Sequence, residues 1–118
     1  MWAHSFIRFL DSVVSQFDNI RPIGVNITEM SAVLSKNGVG NNVIATLTPN
    51  QLKELSSQNT PSIIAISSGG SGYFIVVDAY KEINGVGYYM IRDTFNGPLG
   101  IRTDFLYGKM TGNGVIIK

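Results

Sequence analysis

The hydrophobic pattern of this chain changes period once, near Pro61, and that change constrains the fold more than any other feature. Upstream of Pro61, apolar residues recur at helical spacing. Downstream they come in short runs separated by Gly, Asn and Pro. Helices first and strands afterwards place the chain in the α+β class, with helices packed on an antiparallel sheet. At 118 residues, residues 1–118 are expected to form one domain.

In the helical half, Ala3, Phe6, Ile7, Leu10, Val13, Val14 and Phe17 make one apolar stripe, predicting a helix from about Ala3 to Phe17. Asn26 and Glu29 form a capping pair for a second helix, with Ile27, Met30, Val33 and Leu34 facing inward. Asn37 and Gly38 supply its left-handed stop. Thr48, Pro49 and Gln51 mark the start of a short third helix with Leu52 and Leu55 as its apolar contacts. Val43 to Leu47 reads as a short strand between the two.

In the second half, Ser62 to Ser67 reads as a buried central strand and Tyr73 to Tyr80 as the next, with Gly69 to Gly72 as a flexible turn. Asn84-Gly85 predicts a type I′ hairpin, and Val86 to Arg92 returns antiparallel. Phe95 to Pro98 turns the chain again. Leu99 to Arg102 and Val115 to Ile117 read as shorter strands, with a helical turn around Asp104 to Tyr107. The sheet should have four or more strands.

Composition excludes several functions. The net charge is +1 and the basic residues are scattered, so no basic stripe argues for nucleic acid. With no cysteine and one histidine, His4, disulfides and Cys or His-cluster metal sites are excluded, and no cofactor is expected. No apolar run approaches the ~20 residues of a membrane span. Arg8 and Asp11 interrupt the first apolar stretch, which does not read as a signal peptide.

Three stretches carry a family resemblance. Pro61 to Ser67 (Pro-Ser-Ile-Ile-Ala-Ile-Ser), Gly72 to Tyr80 (Gly-Tyr-Phe-Ile-Val-Val-Asp-Ala-Tyr) and Tyr88 to Gly97 (Tyr-Tyr-Met-Ile-Arg-Asp-Thr-Phe-Asn-Gly) resemble papain-like peptidases of the C39 kind. They also resemble the papain-fold toxin domains of bacteria. Those families carry Gly-His-Phe before a hydrophobic run, then a strand ending in Asp-Pro. Phe105 and the closing Gly114 to Ile117 resemble the end of the same pattern. The resemblance implies a papain-like fold over most of the chain.

It also implies site positions. In the family a Cys opens the first long helix, where the helix N-terminus lowers its pKa; a strand His holds its proton, and an Asp orients the His. Here Tyr73 stands at the His position. Asp93 stands at the Asp position, with Thr94 in place of the Pro. Met1 to Ser5 resembles the Cys-Trp-Ala-Phe-Ser run of papain, which puts Met1 at the missing thiol, with Ala3 as the second choice. Such a layout predicts Tyr73 and Asp93 on adjacent strands, near the start of the first helix.

Each of these residues also has an ordinary reading. Asp93 before a turn is a turn former, and Tyr73 is a half-buried strand aromatic. Asp78 ends a strand or pairs with a basic residue. His4 could act as base only if the helix start folds beside Tyr73 and Asp93, and neighbouring Ser5 is badly oriented for its use. Residues 69–72 lack the Lys and following helix of a phosphate loop.

Three functions follow from this. The first is a bacterial toxin or effector domain, secreted or delivered to a target cell, inactive without Cys, with an immunity or target protein as partner. The second is a non-catalytic C39-like module that binds a peptide or protein. The third is a cysteine peptidase or amidase whose nucleophile was lost by truncation or substitution.

Overall fold

The computed structural model describes residues 4–20, 27–68 and 71–118. In chain order the elements are α1 (His4–Ile20), α2 (Ile27–Lys36), β1 (Asn41–Ile44), α3 (Pro49–Ser57), β2 (Ser62–Ser68), β3 (Ser71–Ile83), β4 (Val86–Asp93), β5 (Gly97–Arg102), α4 (Thr103–Tyr107) and β6 (Met110–Ile117). The six strands form one sheet in the order β1-β6-β2-β3-β4-β5, and every neighbouring pair is antiparallel. The expected α+β class is what forms, with β2, β3 and β4 consecutive.

Short-range chemistry sets the element ends. The Thr48 hydroxyl accepts the Gln51 N–H at 3.2 Å, and the Gln51 side chain accepts the Thr48 N–H at 2.9 Å, closing the capping box of α3. Gly38 ends α2 with φ +79°, and Val39 N–H returns to the Leu34 carbonyl. Asn84 (φ 51°) and Gly85 (φ 79°) make the predicted hairpin turn between β3 and β4. Asn26, the expected cap of α2, lies outside the described residues.

Packing separates the sheet into two faces. Ile63, Phe74, Val76, Val115 and Ile117 point to one side and bury Ile7, Leu10 and Val14 of α1 with Met30 and Leu34 of α2. Ile64, Ile75, Val77 and Ile91 point to the other, against Leu52 of α3 and Leu106 of α4. The alternation follows from the period of a strand. It places α3 on the opposite side of the sheet from α1 and α2.

Several strands differ from their sequence reading. β1 is Asn41–Ile44, and the Leu47 N–H beyond it bonds the Gly112 carbonyl at 2.9 Å instead of extending the strand. β3 runs on to Ile83, so Asp78 does not end it; Asp78 falls where the register with β4 shifts. β5 starts at Gly97. β6 starts at Met110, because pairing with β2 overrides the poor strand propensity of Gly112 and Gly114. Ser71 and Gly72 pair with Ser68 and Ser67, so they belong to β3 and not to a turn. α1 reaches Ile20, three residues further than its stripe predicts.

Candidate functional site

β4 ends at Asp93, opposite Ile75, and Tyr73 lies two residues further along β3 on the same face. Diagonal neighbours of this kind are roughly 7–8 Å apart, within reach of a tyrosine. The Tyr73 hydroxyl donates to Asp93 Oδ2 at 2.8 Å. Asp93 Oδ1 accepts the N–H groups of Phe95 at 2.8 Å and Asn96 at 3.2 Å. One carboxylate, 5% exposed, therefore both forms the β4–β5 turn and fixes the tyrosine. Phe95 packs edge-on against the Tyr73 ring at 5.2 Å. Burial, then the hydrogen bond to Asp93 and its charge, push the Tyr73 hydroxyl up to about 12.

A second carboxylate sits across the sheet. Asp18 of α1 is 1% exposed. Its Oδ1 accepts the Phe74 N–H at 2.8 Å, where β4 has already ended and offers β3 no partner. Its Oδ2 accepts the Thr94 hydroxyl at 2.6 Å, and Ser15 lies 3.4 Å from the same hydroxyl. Thr94 thus supplies a hydroxyl that a proline at this position could not. Burial holds the Asp18 carboxyl above its ordinary range, against the lowering effect of its bonds from Thr94 and Phe74; the charge of Asp93 adds to the rise.

This anchoring corrects the expected layout. Asp18 lies near the C-terminal end of α1, and 14 residues of helix separate it from His4, roughly 21 Å at 1.5 Å per residue. The C-terminal turns of α1, not its start, meet the Tyr73 and Asp93 corner. The helix start that carries His4, expected beside Tyr73 and Asp93 if His4 were to act as base, is thus a helix length away from them along the backbone. Met1 and Ala3, the expected thiol positions, lie outside the described residues, as do the side chains of His4 and Ser5. Tyr73 and Asp93 themselves lie on adjacent strands and share a hydrogen bond.

Sequence reading missed Asp18, although the signal was present. Ile7, Leu10 and Val14 lead at helical spacing to position 18, so a carboxylate falls in line with the apolar stripe. A buried acid at such a place needs donors. Also missed was a groove of about 290 Å³ on the α4 side, floored by Ile75, Ile91, Leu99 and Ile101 and walled by Tyr73 and Phe105. Its polar groups are Asp93, Asn96 and Lys109. Phe105 is 57% exposed, with the Lys109 ammonium 4.9 Å from its ring centre. A second cavity of about 280 Å³ lies beyond Tyr73, reaching Gly72, Thr111 and Asn113. Among the described residues no group of three or more His, Cys, Asp or Glu could hold a metal, and no helix is long and apolar enough to cross a membrane.

Solved structures share this architecture. A double-glycine-motif protease from an AMS/PCAT transporter, in complex with its leader peptide, superposes with a TM-score of 0.64 at 22% identity, covering 80% of this chain and 61% of that one. The peptidase domain of Streptococcus mutans ComA, in complex with a small-molecule inhibitor, gives 0.62 at 15% identity, covering 80% and 75%. The peptidase domain of Streptococcus ComA, a bifunctional ABC transporter of a quorum-sensing pathway, gives 0.62 at 14% identity, covering 98% and 77%. The chain thus spans about three fifths of the first of these structures and about three quarters of the other two. No protein-family model and no curated protein matches the sequence. The chain has the papain-like peptidase fold of the double-glycine peptidase domains, and it contains no cysteine.

Proposed function

We propose that this domain is a non-catalytic, peptide-binding module of papain-like fold. The observation that carries the reading is the open apolar groove between Tyr73 and Phe105, with Tyr73 held on Asp93 at its end. A papain-like site needs a thiol and a base. These 118 residues contain no thiol. A hydroxyl with its pKa near 12, donating to a carboxylate, stays protonated at neutral pH and accepts no proton. What the site keeps is shape: an apolar floor, an exposed aromatic wall and a few polar groups.

A groove of about 290 Å³ is at the small end for ligand sites, and fits one or two apolar side chains better than a cofactor. Each such side chain gains about 1.5–3 kcal/mol when it leaves water. A same-fold neighbour solved with a leader peptide supports a peptide as the class of partner. The toxin or effector role, and with it an immunity partner, draws no support from any residue of the groove.

Selection of phage-displayed random peptides on the domain, followed by fluorescence anisotropy, tests the reading. Selected peptides should bind the wild type, lose affinity with Phe105→Ala and Tyr73→Ala, and remain uncleaved. Equal affinity for wild type and Phe105→Ala would move the site elsewhere. Cleavage that Ser5→Ala abolishes would point to a serine hydrolase and sink the non-catalytic reading.

A further inference from the structure

The two edges of the sheet are finished differently. At the β1 edge, Asn41 is tied to α2: its side chain accepts from the Ser31 hydroxyl and donates to Ser35 Oγ at 3.2 Å. At the other edge, among the described residues no strand pairs with the outer side of β5. Pro98, Gly100 and Arg102 are exposed there, while Leu99 and Ile101 floor the groove.

Backbone directions at this edge follow from two observations. The Phe74 N–H is taken by Asp18 and not by β2, so residues 74 and 76 turn their N–H and C=O groups toward the β4 side. Arg92, opposite Val76, then spends its own groups on β3. Its partner on the other side is Pro98, which lacks an N–H and fits a position facing away from β4. The alternation continues along β5. Leu99 and Ile101 bond β4, and the free edge presents the carbonyls of Pro98 and Gly100 with the N–H groups of Gly100 and Arg102. The run is short, with proline at one end and α4 at the other.

We infer that the peptide adds to β5 as a further antiparallel strand centred on Gly100, placing two apolar side chains, two residues apart, beside Leu99 and Ile101 in the groove. This mode of docking rests on the peptide-binding reading of the same groove. An antiparallel partner opposite Gly100 exchanges both of its backbone bonds, and its two neighbours then fall on the groove face. Main-chain bonds supply affinity and alternate side chains supply selection. An exposed strand edge next to an apolar groove serves both at once, and Gly100 puts no side chain on the far face.

The probe is a synthetic, end-blocked peptide alternating leucine and serine, made as a series with one amide N-methylated at each position in turn. Binding to the intact domain is read by anisotropy, and exchange of the Gly100 amide by NMR. Methylation should cost about tenfold or more at every second amide and little at those between, because only alternate groups face β5. The Gly100 amide should exchange more slowly in the complex. A flat methylation profile, or unchanged Gly100 exchange with the peptide bound, overturns the strand-addition mode and leaves peptide binding standing. Failure of the alternating probe, when library-selected peptides bind, overturns the two-apolar rule. Failure of every peptide, selected or synthetic, removes the peptide-binding reading itself.

Discussion

The two faces of the sheet solve the same burial problem to different degrees. On the α1 and α2 side, Leu10, Val14, Met30 and Leu34 reach zero exposure and the buried acid Asp18 has both oxygens satisfied. On the α3 and α4 side, Leu52 and Leu106 are equally buried, but α3 has only nine residues and α4 only five. They leave β4 and β5 partly uncovered, and Phe105 and Phe95 stay more than half exposed. A sealed face contributes stability. A half-covered face costs some stability and leaves room for a ligand.

Removing core from the sealed face should have the largest effect. Leu10→Ala creates a cavity among residues with no exposure and should destabilise by about 2–5 kcal/mol, read as a lower denaturant midpoint. A loss under about 1 kcal/mol would mean that this face is loosely packed. The hairpin tip at Asn84 and Gly85 belongs to neither face, so only backbone strain acts there. Gly85→Val, at φ 79°, should cost roughly 1 kcal/mol or more, and an unchanged melting curve would mean that the turn relaxes freely.

Asp18 sharpens the comparison through pH. Its folded pKa lies above its ordinary 3.8, so the folded state holds the proton more tightly than the unfolded chain does. The resulting cost is absent below the unfolded value, grows as pH rises through the folded value, and is constant above it. Asp18→Asn keeps an acceptor for the Phe74 N–H and should abolish that part of the pH dependence, making stability flatter from acid to neutral pH. Matching pH profiles for the two proteins would show that the carboxylate is not buried in solution. Phe105→Ala should have the smallest effect on stability, within about 0.5 kcal/mol, while removing peptide affinity. A large drop in melting temperature would make Phe105 a core residue and the open face a closed one.

Much of the local structure was legible in the residues. The Thr48 capping box, the Gly38 stop and the Asn84-Gly85 turn each depend on a few adjacent positions, and each formed as read. Tyr73 and Asp93 were legible as a pair only through a family resemblance, since their sequence separation of 20 residues carries no local signal. The groove was not legible, because its floor comes from β3, β4 and β5 and its wall from α4.

The sequence by itself therefore determined the order of helices and strands, their caps and turns, and the absence of a thiol, since these depend on periodicity, short-range hydrogen bonding and composition. Tertiary structure decided the rest: the side of the sheet that α3 covers, the edge positions of β1 and β5, and the end of α1 that meets Tyr73 and Asp93. An apolar stripe says that a helix must be buried but not against which face or in which direction. Here one buried carboxylate settles the direction, because Asp18 finds its donors only where β4 stops short of Phe74 and Thr94 offers a hydroxyl.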